Sequence, residues 1–219
     1  MNEVMVSRML LVAVASVTML ASCQKDPLKK MSPSDSRIYI TNRDESVDFN
    51  SFKTYSITDS VGVIEDNQLL GKDRSEFDAN IINALKTTLQ AKGFTEVPRS
   101  ESPDLGITVS RIYSTSTGLV SYPGYWDSYG SYYDPFYWGY GGLDYYDPIY
   151  YGANYYSTYS ITQGALSVDM LNLKDAAADN AIKPVWSAMA RGSGVFAPSA
   201  AEGEVSAFFE QSPYVGTNQ

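Results

Sequence analysis

Carboxylates are the plausible acid–base catalysts in this sequence. It contains no His, and Cys23 is its only Cys. Nucleophile–base pairs built on Cys or His, His-ligated zinc and disulfides are excluded, because the residue types they require are missing. Asp127, Asp134, Asp144 and Asp147 lie in one stretch, residues 121–159, which also holds fourteen of the eighteen Tyr together with Trp126, Phe136 and Trp138. A pair such as Asp144 and Asp147 has the residue types that glycoside hydrolysis uses as acid and nucleophile. Nothing in the spacing selects that pair, and Asp134-Pro135 and Asp147-Pro148 read as turn starts. The Asp-x-Asp-x-Asp-Gly spacing of an EF-hand loop is absent, and Gly192-Ser193-Gly194 is not a Gly-x-Ser-x-Gly elbow. No catalytic residue, metal ligand or cofactor is assigned on these grounds, and the expectation is a protein that is not an enzyme.

What the stretch offers instead is contact area. Tyr and Trp carry large, stiff, amphipathic surfaces at low entropic cost, and Gly spacers let the backbone turn between them. The candidate contact residues are Tyr125, Trp126, Tyr133, Trp138, Tyr140 and Tyr146, and a glycan or a protein surface is the matching partner class. The same composition also permits the stretch to fold back on its own domain as a satellite cluster, or to self-associate. The net charge is −9, and no basic residue occurs between Arg111 and Lys174. That balance disfavours nucleic acid as a partner, since phosphate backbones are held by Lys and Arg.

The N-terminus bears on location. Arg8 precedes an apolar run over residues 9–19 and then Leu20-Ala21-Ser22-Cys23, a pattern of charged start, short apolar core and small residues that reads as a signal peptide. The run is too short to span a bilayer. Leu-Ala-Ser-Cys resembles the bacterial lipobox, which implies cleavage before Cys23 and acylation, palmitate among the chains, of that residue. Several acyl chains at about 0.8 kcal/mol per buried methylene make a durable anchor. Cys23-Gln24-Lys25-Asp26 resembles the start of a lipoprotein surface-export signal, although Pro27-Leu28-Lys29-Lys30 departs from its acidic run. The resemblance implies attachment to the outer membrane and leaves open whether the protein faces the periplasm or the exterior. Residues 1–22 are thus read as signal peptide, 23–36 as a lipidated tether rich in Pro and Ser, and 37–219 as one domain.

Elements that would position the aromatic stretch are legible on both sides of it. Residues 37–41 and 52–57 are β-prone, and residues 60–72 read as a loop. A helix is expected over residues 74–92, started by Asp73 with Glu76, striped by Phe77, Ile81, Leu85 and Leu89, and closed by Gly93. Residues 94–97 read as a short extended piece. Alternation over residues 105–113 predicts a half-buried strand. Residues 165–170 and 185–191 read as an antiparallel pair joined by a polar, Ala-rich connection, with Trp186 on the face opposite Val185, Ser187 and Met189. Ser199 with Glu202 predicts a capping box for a last helix that buries Val205, Phe208 and Phe209 and ends before Pro213. The expected fold is α+β: a mostly antiparallel sheet with two helices packed on it, plus a long Tyr/Gly-rich insertion, residues 121–159, between two strands.

The order of these signals resembles the bacterial lipoprotein family built on domain of unknown function 4136. The resemblance rests on the Phe-x-x-Phe-Lys-Thr-Tyr opening strand (49–55), the Leu-x-x-Lys-Gly-Phe helix end (89–94), Pro-Asp-Leu (103–105), Gly-x-Leu-x-Val-Asp (164–169) and Val-Trp leading to Gly (185–192). Ala188 stands where members commonly carry Gly. The resemblance implies an α+β lipoprotein domain with no established catalytic residues, in which Phe52, Tyr55, Gly93, Leu105, Leu166 and Trp186 serve as core and turn positions. The functional expectation is a non-catalytic cell-envelope lipoprotein that binds or scaffolds through its aromatic loop. The alternatives are a carbohydrate-active enzyme using loop carboxylates and a self-assembling envelope or matrix subunit.

Overall fold

The computed structural model describes residues 36–65, 68–113, 119–120, 137–141, 143, 159–160 and 164–217. In chain order these form β1 (Ile38–Arg43), β2 (Thr54–Ile57), β3 (Val61–Glu65), β4 (Gln68–Asp73), α1 (Glu76–Ala91), β5 (Thr95–Glu96), β6 (Leu105–Tyr113), β7 (Leu119–Val120), β8 (Tyr159–Ser160), β9 (Ala165–Asn172), α2 (Ala176–Asp179), β10 (Lys183–Arg191) and α3 (Ala201–Glu210). The strands β1-β10-β9-β6-β2-β5 are hydrogen-bonded in that order, with β3 beside β6 and β4 beside β3. β7 and β8 pair separately, Leu119 with Ser160 and Val120 with Tyr159.

The sheet is mixed, which corrects the mostly antiparallel expectation. β1–β10, β10–β9, β9–β6 and β3–β4 are antiparallel, whereas β2–β5, β2–β6 and β3–β6 are parallel. The cause is α1. Its 16 residues advance about 24 Å at 1.5 Å each, returning the chain to the end where β2 began, so the strands that follow run alongside β2 in the same direction. β2 and β3 act as one interrupted strand along β6. Ile57 pairs with Ile107 and Gly62 with Ser110, so two extra residues are accommodated between them. Residues 60–72, read as a loop, instead form most of the β3–β4 hairpin.

The helical face of the sheet holds the main core. Phe77, Ile81, Leu85 and Leu89 are buried as one stripe of α1, each contributing about 1.5–3 kcal/mol. The N-cap is Ser75 rather than Asp73: Asp78 N–H donates to Ser75 Oγ (3.2 Å) and Ser75 N–H donates to Asp78 Oδ2 (2.7 Å). Ser75 directly precedes the first helical residue, and its short hydroxyl reaches the Asp78 N–H from there. Gly93 takes the left-handed conformation at φ 94°, as its place after the helix requires. The box expected from Ser199 and Glu202 does not form. A 3-10 turn, Pro198–Ala200, leads directly into α3, which has no side-chain cap. Val205, Phe208 and Phe209 are nonetheless buried.

Trp186 is a core residue. Its ring stacks on Phe209 at 5.4 Å, and its Nε1–H donates to Ser212 Oγ (2.8 Å). Val185 shares its cluster rather than facing the opposite side, because the register shifts between Pro184 and Trp186. A bulge of this kind turns two successive side chains to one face. β6 is buried on both faces over residues 105–110, not half-buried, and every residue of β9 is buried. Asp104 ties three strand ends together: its Oδ2 accepts from Lys53 N–H (2.6 Å) and Thr54 N–H (3.1 Å), and its carbonyl accepts from Leu173 N–H (2.9 Å).

At the opposite end of β6, Arg111 joins the sheet to the start of α1. Its guanidinium meets Asp73, reaches the fully buried Asp78 through Nε–Oδ1 (3.1 Å), and donates from Nη1 to Tyr113 OH (3.0 Å). Nη2 of the same guanidinium also donates to Asp78 Oδ2 (3.2 Å), whereas Nε and Oδ1 meet as charges only. Removing the cation strands a buried carboxylate. Arg111→Gln is expected to lower urea-unfolding stability by about 3–5 kcal/mol, and adding Asp78→Asn should recover part of the loss. A deficit under about 1 kcal/mol would show that the pair is solvated.

Candidate functional site

The second face of the sheet is built differently from the first. On β6 the alternate positions Gly106, Thr108, Ser110 and Ile112 point to it. The register sets Thr108 beside Asp169 and Ser187, and Ser110 beside Ser167 and Met189. A belt of small polar groups, all buried, therefore crosses the middle of the face. Asp169 Oδ2 accepts from Ser167 Oγ (3.1 Å), while the hydroxyls of Ser110 and Ser187 have no hydrogen-bond partner among the described residues. Apolar groups flank the belt. Leu171, Leu173, Ala176 and Ile182 lie toward one end, and Ile64, Ile112 and Ala165 toward the other.

Trp138 sits on this face. It is 3% exposed, and its benzo ring lies so close to Gly106 that a Cβ there would stand 2.9 Å from Trp138 Cζ2. Glycine at residue 106 is thus the condition for the contact. Tyr137 packs edge-on against Trp138 at 5.0 Å and lies under the cations of Arg99 (4.3 Å) and Lys72 (5.0 Å). Burial raises its phenol pKa despite Arg99, and burial followed by the nearby Asp104 raises that of Tyr140. Tyr137, Tyr140 and Leu143 are partly buried against the same cluster. Gly139 at φ 87° and the Leu143 N–H to Tyr140 carbonyl bond (3.3 Å) supply the turn.

Of the six predicted contact residues, Trp138 is therefore a buried anchor and not an exposed surface, and Tyr140 is half-buried beside it. Tyr125, Trp126, Tyr133 and Tyr146 lie outside the described residues, as do Asp127, Asp134, Asp144, Asp147 and Cys23. Gly106 was the missed signal. A glycine inside an alternating strand marks a close approach, here by an indole.

The buried acids do not converge. Asp78 caps α1, Asp169 lies on the second face, and Glu204 sits on α3. Among the described residues no three His, Cys, Asp or Glu side chains are grouped to hold a metal. Glu204 is fully buried, neither oxygen has a hydrogen-bond partner among the described residues, and Arg37 Nη1 is 3.8 Å away. Burial pushes its carboxyl up to about 8, opposed by Arg37.

One concave surface lies on the helical side. It is an open groove of about 890 Å³ between α1, which contributes Asn80, Asn83 and Thr87, and α3, which contributes Glu202, Ser206 and Glu210. Asn80 Nδ2 donates across it to the Pro198 carbonyl (3.1 Å), and Phe209 forms its buried floor.

Two outcomes are expected. Trp138→Ala should cost about 3–5 kcal/mol, and Gly106→Val, which evicts the ring, should lower stability and red-shift the Trp emission; unchanged unfolding in both would show that the indole is not packed on β6. For Glu204, the folded state holds a proton that the unfolded chain has already released, from about pH 4.5 up to about 8. Stability therefore falls as pH rises through that window, at up to about 1.4 kcal/mol per unit, and Glu204→Gln should flatten the slope in denaturant titrations at several pH values.

The model of the family described as Domain of unknown function (DUF4136) matches residues 40–214. Among solved structures, the chain is similar to a DUF4136 family protein from Bacteroides thetaiotaomicron, at 28% identity and a TM-score of 0.58, covering 84% of this chain and 100% of that one. A search of the curated proteins found no match. The matched span runs from β1 past the end of α3 and takes in both faces of the sheet, and the chain belongs to the DUF4136 family.

Proposed function

We propose that this protein is a non-catalytic lipoprotein of the bacterial outer membrane, held by acyl chains on Cys23, that binds or scaffolds a glycan or envelope protein through the aromatic stretch. The observation that carries the binding reading is the seating of Trp138 on Gly106. A buried indole fixes one point of a sequence dense in Tyr and Trp to a sheet face, and a contact surface that is anchored before binding has less ordering cost to meet. The non-catalytic reading is supported by the sequence, which has no His and no Cys other than Cys23. The lipid anchor is supported by Leu20-Ala21-Ser22-Cys23.

Triple replacement of Trp126, Tyr133 and Tyr146 by Ala is expected to reduce co-sedimentation with purified cell envelopes at least tenfold while leaving the unfolding midpoint unchanged. Retention equal to the parent protein would overturn the contact role. Cys23→Ala should abolish palmitate labelling and move the protein from the membrane to the soluble fraction.

A further inference from the structure

We propose that β1 is an interface strand, whose outer edge pairs antiparallel with β1 of a second copy of this chain, Thr41 facing Thr41 across a twofold axis. The backbone fixes which groups that edge offers. In an antiparallel ladder the N–H and C=O of one residue point to the same side, and the side alternates along the strand. Asp44 N–H donates to the carbonyl of Val185 on β10 (3.0 Å), so Asn42, Ile40 and Ile38 turn toward β10 as well. Tyr39, Thr41 and Arg43 therefore turn outward. Gln211 agrees with this parity, since its Nε2 donates to the Tyr39 carbonyl (3.3 Å) in an exposed contact. The N–H of Tyr39 and both backbone groups of Thr41 and Arg43 are paired to no described residue.

The other borders of the sheet are guarded against adding a strand. Shortness, Lys side chains and bulges are the usual guards. β5 is two residues long, and β4 carries Lys72 and is bulged against β3 between Val63 and Ile64. β1 runs for six residues without Gly, Pro, Lys or a register shift against β10. One register then suits a second copy. With Thr41 on the axis, Tyr39 of each copy faces Arg43 of the other, and all the outward groups meet in about six hydrogen bonds. Arg37 of each copy arrives at the end where the other has Asp44 and Glu45, so no like charges are opposed. Centring on Arg43 would set that cation against itself, and centring on Tyr39 would carry Arg43 past the start of the other strand. The Ile40 side chains of the two copies become diagonal neighbours about 7–8 Å apart, within reach of apolar contact. Because the edge is complementary to itself in this register, the occupant is a second copy rather than an unrelated extended segment. The pairing uses neither lipid on Cys23 nor the aromatic stretch.

The test uses the mature chain from residue 23 carrying Cys23→Ser, so that no acyl group can drive association. Sedimentation velocity should show a dimer that grows with concentration. In step with it, amide hydrogen exchange should slow at least tenfold at Tyr39, Thr41 and Arg43, while Ile40 and Asn42 are protected at every concentration. Thr41→Cys then supplies the chain's only thiol, and hydrogen-bonded pairs in an antiparallel ladder stand about 5.5 Å apart at Cα, a spacing that a disulfide bridges. Mild oxidation should link T41C into dimers at least ten times faster than R43C, whose thiols would lie about 14 Å apart along the strands. Thr41→Pro removes an outward N–H and no bond to β10, and it should weaken dimerisation at least tenfold with the unfolding midpoint unchanged. A monomer at all concentrations would overturn the proposal, as would a dimer formed without protection at Tyr39, Thr41 and Arg43, or equal oxidation of T41C and R43C.

Discussion

The central strands β6 and β9 are buried on both faces, so the sheet has to be covered twice. One side is covered by the apolar stripes of α1 and α3, which bring the aromatic set Phe77, Trp186, Phe208 and Phe209 into one core. The other side receives Trp138 and its neighbours. The two coverings are unequal in kind. The helical side is mainly apolar, with Asp78 and Glu204 buried on its two helices, whereas the second face carries a belt of hydroxyls around Asp169. A buried hydroxyl left without a hydrogen bond lowers stability by about 1–3 kcal/mol, and among the described residues Ser110 and Ser187 have no partner for theirs.

The ends of the sheet are fixed by polar contacts of a sort that apolar packing cannot replace. Asp104 gathers the starts of β2 and β6 with the end of β9, which sets register at one end. Arg111 holds α1 to the sheet at the other. A one-residue slip of β6 would break both and turn its apolar side chains to the wrong face. The position of Gly106 under Trp138 is thereby specified by contacts made several residues away on the same strand.

Periodic signals were legible in the sequence where one residue type repeated on one face. The α1 stripe, the extent of β6, the β9–β10 pair and the burial of Trp186 and Phe208 all follow from such patterns. Features that depend on neighbours distant in sequence were not. The parallel pairing of β2 and β3 with β6 is decided by where α1 returns the chain, and the β3–β4 hairpin lies in a segment whose Gly62, Gly71 and Asp66 look like loop residues in isolation. The bulge at Val185 comes from cross-strand register. For the aromatic stretch, composition suggested both contact and a satellite cluster. Trp138 belongs to the second, a distinction visible only once Gly106 is known to lie beneath it.

The clamp on Arg37 has a mechanical meaning as well as an electrostatic one. Everything before residue 37 lies on one side of it, and any pull on the N-terminal segment enters the domain there. Force would reach the carbonyls of Ser193 and Gly194 before it reached the first ladder pair of β1, Ile38 with Arg191. Among the described residues β1 is an edge strand paired with β10 alone, so these side-chain bonds shield that border of the sheet from tension. The loop that accepts them, held close by Gly192 against the Ser36 carbonyl, would take the load of a pull from the N-terminal side before the sheet does.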